Sequence, residues 1–139
     1  MIINGTLDLS ECFNLTSIDK ITEVNGILLL NDTKVSTIPE NIKFNWRSSL
    51  DISYTKISNI SFLKNKTFKF LNLSGLGFEQ LPNGLETLME LRLNDCFELK
   101  ELPNDLKVGE ILYLKDSGIT KEYIMKNRKD LLHKCDWLF

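Results

Sequence analysis

The chain has 139 residues, of which 42% are hydrophobic, and a formal net charge of −2 at pH 7. This length suits one domain with a real core, and the near-neutral charge excludes a strongly basic nucleic-acid-binding protein. The opening residues MIINGTLDLSECF lack the charged and apolar stretches of a signal peptide, and the longest apolar run, Ile27 to Leu30, cannot span a membrane. We therefore expect a cytoplasmic protein without direct contacts to membrane or nucleic acid.

A pattern of Leu-x-Leu, a turn and a further apolar residue recurs along the chain. The pattern begins at Leu7, Leu28, Leu50, Leu71, Leu91 and Leu112. The steps between these leucines are 21, 22, 21, 20 and 21 residues. Self-similarity at such a fixed period is the sequence signature of a repeat solenoid. A single repeat cannot bury its leucines, so neighbouring repeats must stack and bury them together.

Each repeat is predicted to open with a short strand and to return through an irregular or 3-10 segment. The alternation of Leu-x-Leu places both leucines on one side of a strand. Later apolar residues follow three or four positions apart, as Val35, Ile38 and Ile42 do, which fits a turning segment. All three prolines occupy equivalent places on this returning side, where no sheet hydrogen bond is needed: Pro39, Pro82 and Pro103.

Two segments carry a family resemblance, LPNGLETLMELRLNDC and LPNDLKVGEILYLKDSGIT. They resemble the LP-type leucine-rich repeats (LPxxLxVGxxLxL) of bacteria and bacteriophages, over about residues 4 to 124. The resemblance implies an α/β solenoid in which about six short parallel strands form one curved sheet. It implies little about function, because the leucine-rich-repeat superfamily uses one scaffold for many binding roles.

The last segment of the chain breaks the period. We expect a solenoid over residues 1–119 and a C-terminal helical cap or tail over residues 120–139. The stretch from Glu122 to Cys135 contains no glycine or proline and is predicted to be helical, with Thr120 as its N-cap. The apolar end Trp137–Phe139 leaves open the alternative of a partner-binding tail. At the other end the first strand is thinly capped and could pair with a second copy.

Residues that could support catalysis or metal binding are few. The three cysteines, Cys12, Cys96 and Cys135, form no CxxC motif, and we expect reduced thiols. Cys12 and Cys96 hold equivalent repeat positions and are predicted to be small buried turn residues. The single histidine, His133, lies two positions from Cys135, a spacing that separates them on a helix. We therefore expect no enzyme, no metal and no cofactor.

The outward residues of the strands form the surface that such solenoids usually present to partners. Among its 24 positions seven are acidic and two basic, a net charge of about −5 against about +3 for the rest of the chain. Apolar and aromatic residues among charges are typical of interface anchors. The predicted partner-binding residues are Asp8, Glu11, Leu29, Asp32, Asp51, Tyr54, Phe70, Arg92, Asp95, Tyr113 and Asp116. The alternatives are that these acids are solvated turn residues, and that the convex side, an edge or the tail makes the contact.

These observations together predict a non-enzymatic module that binds a protein partner. The seven acidic residues of the outward strand face are here called the acidic band. A partner with a basic surface would complement this band. The resemblance to bacterial and phage repeats suggests an inhibitor that blocks a host defence enzyme. The alternative is a self-associating structural solenoid, which leaves the oligomeric state open between a monomer and a weak homodimer through the terminal edge.

Overall fold

Short strands dominate the computed structural model, which describes residues 1–139. The strands are β1 (Ile2–Ile3), β2 (Thr6–Asp8), β3 (Glu23–Val24), β4 (Ile27–Leu29), β5 (Lys43–Phe44), β6 (Ser49–Asp51), β7 (Thr67–Asn72), β8 (Glu86–Arg92), β9 (Lys107–Val108), β10 (Ile111–Tyr113) and β11 (Cys135–Asp136). One α-helix, α1, spans Lys121–Asn127, and two 3-10 helices span Ser61–Leu63 and Lys129–Lys134. None of these helices is long and apolar enough to cross a membrane.

The main sheet confirms the predicted repeat. Its strands lie in the order β11-β10-β8-β7-β6-β4-β2, and all pairs are parallel. The first leucines of successive repeats are register partners: Leu7, Leu28, Leu50, Leu71, Leu91 and Leu112. The predicted strands of the six repeats are therefore confirmed, and β11 adds a further strand at the C-terminal edge.

A second ladder of very short parallel strands, which the sequence analysis did not predict, accompanies the main sheet. Strands β1, β3 and β5 form a separate three-stranded sheet. Towards the C-terminal end, the first residues of β7 and β8 and the two residues of β9 pair in the same way. Each coil therefore has two hydrogen-bonded stretches, joined by a short connection that leads into the main strand.

The core is one continuous column of stacked apolar side chains. It contains 34 buried hydrophobic residues, among them the first strand leucine of the second to the sixth repeat. Leu28, Leu91 and Leu112 are fully buried, because a neighbouring coil covers each on both sides. Leu7 and Leu9 are only half-buried, because β2 is the edge strand of the main sheet and pairs with β4 alone.

The C-terminal segment caps the column in three steps. Helix α1 begins as predicted, with the Thr120 side chain accepting a hydrogen bond from the Tyr123 N–H at 3.1 Å. The expectation of a helix that continues to Cys135 is wrong, because α1 ends at Asn127. Arg128 turns its guanidinium into the protein, a 3-10 helix follows, and Cys135 lies in the edge strand β11.

The two repeat-equivalent cysteines differ in burial. Cys96 is buried, and its thiol donates a hydrogen bond to the Leu73 carbonyl at 3.3 Å. Burial raises the pKa of Cys96 to about 12, so it stays a neutral thiol. The expectation that Cys12 is also buried is wrong: Cys12 is exposed, in the turn that follows the edge strand β2.

Candidate binding site on the strand face

The outward side of the main sheet carries an open cleft of about 420 Å³, here called the strand-face cleft. The outward side chains that line it come from four neighbouring strands: Ile27, Leu29, Ser49, Asp51, Phe70, Asn72, Glu90 and Arg92. Four predicted binding residues, one from each of four repeats, therefore meet at one place: Leu29, Asp51, Phe70 and Arg92.

The cleft exists because a small residue lies between two large ones. Ile27, Ser49 and Phe70 are consecutive partners in the parallel register. Ser49 is buried, whereas Ile27 and Phe70 are 39% and 37% exposed. The short serine side chain leaves a gap between its larger neighbours. Leu29, half-buried, adds a further apolar surface on the same strand as Ile27.

The polar rim on β8 is held in place by its own contacts. The Arg92 guanidinium lies 3.3 Å from the Glu90 carboxylate and 4.5 Å from the centre of the Tyr113 ring. The Tyr113 hydroxyl donates to Glu90 at 3.4 Å, which closes a three-residue network. Tyr113 thus contributes to the cleft indirectly, by supporting Arg92. Groups fixed before a partner arrives lose less conformational entropy on binding.

The turn after each strand accounts for part of the acidic band. In all six repeats one residue of this turn has a left-handed backbone, with φ between 56° and 75°: Glu11, Asp32, Tyr54, Gly75, Asp95 and Asp116. Aspartate and glycine tolerate this conformation better than most residues. The three aspartates of this column thus have a backbone reason for their identity, and their part in partner binding stays a prediction.

Two further acids of the band stabilise the backbone where their strands end. The carboxylates of Asp8 and Asp51 each accept the backbone N–H two residues later, of Ser10 and Ser53, at 2.9 Å. The hydrogen bonds from the Ser10 side chain and backbone lower the pKa of Asp8. These contacts are Asx turns, which form without a partner. Acidic identity in the band is therefore weaker evidence for binding than the shape of the strand-face cleft.

Tyr54 links three repeats along the turn edge rather than projecting freely. Its hydroxyl donates a hydrogen bond to the Asp95 carboxylate, two repeats away. The ring passes over Gly75, where an added Cβ would lie 2.3 Å from the Tyr54 Cδ1 atom. Gly75 is thus required both by its φ of 75° and by the ring above it. The hydrogen bond to Asp95 is the main cause that raises the pKa of Tyr54 to about 12.

We expect the Asp95→Asn variant to move one tyrosine titration towards its ordinary value. Because the pKa of Tyr54 is raised, its hydrogen bond to Asp95 stabilises the folded chain fully below about pH 10. This stabilisation is lost as the pH rises through about 12. Tyrosinate absorbance against pH measures the titration, with circular dichroism to confirm that the chain stays folded. Asp116→Asn is the matched control, because it changes the equivalent turn residue. Identical curves for Asp95→Asn and the unchanged chain would contradict the assignment.

The other predicted residues lie outside the strand-face cleft. Asp8 and Glu11 belong to the first repeat at one end of the sheet, and Asp116 follows the last repeat strand at the other end. Four further cleft residues, Ile27, Ser49, Asn72 and Glu90, belong to the 24 outward positions predicted for the strand face but not to the predicted binding residues. Strand register located them, whereas the cleft that brings them together depends on side-chain size.

The C-terminal tail reaches the strand side of the molecule. Trp137 is half-buried and packs against the core, whereas Leu138 and Phe139 are exposed. The backbone N–H groups of Leu138 and Phe139 donate to the Asp136 carboxylate at 2.9 and 3.1 Å. The Phe139 carbonyl accepts a hydrogen bond from the Asn94 side chain at 2.6 Å. The tail therefore packs through Trp137 and through backbone contacts.

Candidate chemical groups elsewhere are isolated from one another. His133 is exposed in the second 3-10 helix. The half-buried Cys135 thiol donates to the Leu131 carbonyl at 3.3 Å, and burial raises its pKa to about 11. No three His, Cys, Asp or Glu side chains are grouped so that they could hold a metal ion.

Parallel strands in repeated register, left-handed turns and irregular or 3-10 returns define the fold as a leucine-rich-repeat solenoid. The chain is 32% identical to protein SUPPRESSOR OF npr1-1, CONSTITUTIVE 1 of Arabidopsis thaliana, in an alignment over 122 residues that covers 82% of the chain. It is 29% identical over 109 residues, 73% of its length, to a probable disease resistance protein of the same plant. The chain spans only 8% and 9% of these two proteins.

No family model matches the chain. No solved structure matches it either. Both reported relatives are plant proteins, whereas the LP motif resembles bacterial and phage repeats. The comparisons thus support the leucine-rich-repeat assignment, and the bacterial or phage origin stays a prediction.

Proposed function

We propose that this chain is a non-enzymatic protein-interaction module that holds a segment of a partner protein in the strand-face cleft. The observation that carries the proposal is the convergence of Leu29, Asp51, Phe70 and Arg92 around one open cleft of about 420 Å³. Interface anchors are typically apolar or aromatic side chains beside a few fixed polar groups. The strand-face cleft combines both features on the exposed side of a rigid sheet.

The lining of the cleft favours a particular partner chemistry. Ile27 and Phe70 leave room between them for one apolar side chain of the partner. Asp51 and Glu90 lie at the rim, where they would attract a neighbouring basic group. The acidic excess of the strand face would steer such a partner towards the cleft. We therefore propose a partner segment in which an apolar residue stands beside lysine or arginine.

The biological setting is also a proposal. One matched plant protein is named a probable disease resistance protein, and this name favours a recognition role in defence. The LP-type motif favours a second setting, in which a bacterial or phage inhibitor blocks a host defence enzyme. Both settings use the strand-face cleft in the same way, since in each the cleft acts by binding a segment of a partner protein.

A second candidate function is self-association through the N-terminal end of the solenoid. An open cleft of about 410 Å³ lies there beside edge strand β2, which has a neighbour on one side only. Its lining includes the apolar residues Met1, Leu7, Leu9, Leu15, Ile18 and Ile21. An unpaired edge beside an apolar surface favours pairing with another copy. Sedimentation at two concentrations separates the candidates, since a monomer at high concentration excludes self-association.

We expect Phe70→Ala to weaken partner binding by roughly 30-fold, because loss of a central aromatic anchor costs about 2 kcal/mol. The experiment is affinity capture from the cells that encode the chain, quantified by mass spectrometry and repeated with each variant. Phe97→Ala is the matched control, because Phe97 is 70% exposed and lies in the turn beyond β8. A partner retained by Phe70→Ala but lost by Phe97→Ala would contradict the proposed function.

A further inference from the structure

The third coil contains an insertion that presents an exposed tryptophan. Val24 and Leu28 of one coil are the register partners of Phe44 and Leu50 of the next. Four positions separate Val24 from Leu28, whereas six separate Phe44 from Leu50. Two extra residues are therefore accommodated between β5 and β6, at the turn that contains Trp46.

The other coils have no such insertion. The corresponding spacing is four positions where β1 leads to β2, within β8 and where β9 leads to β10, and three within β7. In these coils the second ladder therefore connects to the main sheet without the two residues that are inserted between β5 and β6. A large aromatic residue at this place is not required by the repeat.

The inserted turn is held in a defined shape. The Ser48 N–H donates to the Asn45 carbonyl at 2.8 Å, and the Arg47 N–H donates to the Asn45 side-chain oxygen at 3.0 Å. The Ser48 hydroxyl, fully buried, donates to the Val24 carbonyl of the preceding coil at 2.6 Å. This turn is therefore anchored in the solenoid and holds Trp46 and Arg47 at its tip.

The side chains at the tip are exposed and have no ionic partner. Trp46 is 54% exposed, and the Arg47 guanidinium lies over its ring, 4.5 Å from the ring centre. The salt bridges of the chain involve neither Arg47 nor the nearby Lys69. Leaving so much indole surface in water costs hydrophobic free energy, which a partner would recover by covering it.

These residues line a concavity of about 350 Å³, here called the Trp46 patch: Trp46, Arg47, Lys69, Leu88 and Met89. Leu88 and Met89 are half-buried and give the patch an apolar floor. No carboxylate belongs to the lining. Two acids flank the patch outside this lining: the exposed Glu110, whose N–H donates to the Met89 carbonyl at 2.8 Å, and Glu90, which follows Met89 in the chain and lines the strand-face cleft.

We propose that the Trp46 patch is a second protein-binding surface, which takes an acidic peptide segment carrying one apolar side chain. Arg47 presents a planar fork of donors, already stacked on the indole, that suits a carboxylate of the partner. Lys69 binds a second carboxylate, and the apolar side chain lies against Trp46, Leu88 and Met89. The chemistry is opposite in charge to that of the strand-face cleft, so the two surfaces take different segments.

The same features favour a peptide over a nucleic acid. Binding of single-stranded nucleic acid relies on a groove of many cations with successive aromatic stacking platforms. The Trp46 patch offers two cations and one aromatic ring, with aliphatic and thioether side chains completing the lining. An apolar side chain between two carboxylates uses every group that the patch presents.

The test uses short random peptides displayed on phage and selected on the purified chain. We expect one group of enriched sequences to be rich in Asp and Glu around an apolar residue, apart from any basic group that the strand-face cleft selects. A selected peptide, made synthetically, should bind at least roughly ten-fold more weakly to Trp46→Ala and to Arg47→Glu. Lys34→Glu, an exposed charge reversal elsewhere, and Phe97→Ala, in the exposed turn beyond β8, should leave its binding unchanged. All four variants change exposed side chains, and circular dichroism confirms their folding.

Several results would overturn the proposal. The absence of any acidic group among the enriched peptides would show that the Trp46 patch does not take this ligand. The same conclusion would follow if the Trp46→Ala and Arg47→Glu variants bound the acidic peptide as tightly as the unchanged chain. If a labelled single-stranded DNA binds the chain and Arg47→Glu abolishes this binding, the surface is a nucleic-acid site. Concentration-dependent sedimentation abolished by Trp46→Ala would identify a second copy as the occupant. Loss of partner binding in the Phe70→Ala experiment concerns the strand-face cleft and leaves this proposal unaffected.

Discussion

The Arg128→Ala variant is expected to lose about 1–3 kcal/mol of unfolding free energy, because the buried Leu106 carbonyl loses its charged donor. Arg128 is only 6% exposed, although it carries a full charge. Its guanidinium donates to the Pro103 and Leu106 carbonyls at 2.5 and 2.8 Å and so connects the cap to the preceding repeat. Since small domains are stable by about 5–15 kcal/mol, such a loss is a large fraction of the total.

The ion pair of Arg128 with Asp130 contributes less than these carbonyl contacts. Arg128 lies 2.9 Å from the Asp130 carboxylate, and its hydrogen bonds are the main cause that lowers the pKa of Asp130. The Asp130 side chain is 64% exposed, so solvent screens most of the pair's energy. We therefore assign the expected loss mainly to the Leu106 carbonyl, since the Pro103 carbonyl still accepts the Leu106 N–H at 3.2 Å when Arg128 is removed.

Urea unfolding followed by circular dichroism measures the effect of Arg128→Ala. The control is Lys126→Ala, an exposed substitution in α1 that is expected to change stability by less than about 0.5 kcal/mol. Trp137 packs against the core in the cap, so its fluorescence should report the loss in the same experiment. Equal unfolding midpoints for the two variants would contradict the proposed role of Arg128.

The Phe68→Ala variant is expected to lose about 3–5 kcal/mol, the usual cost of emptying a buried phenylalanine site. Phe68 is fully buried at the start of β7, with its ring centre 5.0 Å from that of Phe44 in the preceding coil. Phe44 in turn lies 6.1 Å from Phe62 of the 3-10 helix, so the cavity would open at the junction of two coils. Coils on either side cannot close it without breaking the register of the ladders.

Thermal or urea unfolding tests the prediction for Phe68 against a variant with the same chemical change. Phe13→Ala removes an exposed ring and is expected to change stability by less than about 0.5 kcal/mol. The difference between the two variants therefore measures burial rather than loss of a ring. Similar losses from both would mean that Phe68 is not the core residue that the packing indicates.

The register of the main sheet was predictable because each repeat carries its own strand pattern. A leucine that recurs at a nearly constant period must stack on its equivalents, and Leu28, Leu50 and Leu71 do so. The second ladder was not predictable, since two-residue strands are too short for an alternating pattern to appear. The inserted turn did leave a trace in the sequence, because the step that contains it, the 22 residues from Leu28 to Leu50, is the longest of the period.

The C-terminal cap was predictable in its position and not in its course. The end of the period and the capping residue Thr120 located the start of the helix correctly. The end at Asn127 depends on Arg128, whose partners Pro103 and Leu106 lie more than twenty residues earlier in the chain. A long-range contact of this kind overrides helix propensity and leaves no local signal.

The candidate site was predictable where strand register alone determines position. Leu29, Asp51 and Phe70 meet because their columns are aligned along neighbouring strands. The role of the acids was harder to predict, because a sequence does not distinguish an aspartate selected for charge from one selected for a left-handed turn. Asp32, with φ of 61°, is such a residue.

Photo-crosslinking of the captured partner tests most directly whether the strand-face cleft is the binding site. The variants are Phe70→p-benzoylphenylalanine in the cleft and Phe97→p-benzoylphenylalanine in the exposed turn beyond β8. Both place the same reactive group on an exposed aromatic position. We predict that the partner is crosslinked from position 70 and not from position 97. Crosslinking from position 97 alone would contradict binding at the strand face.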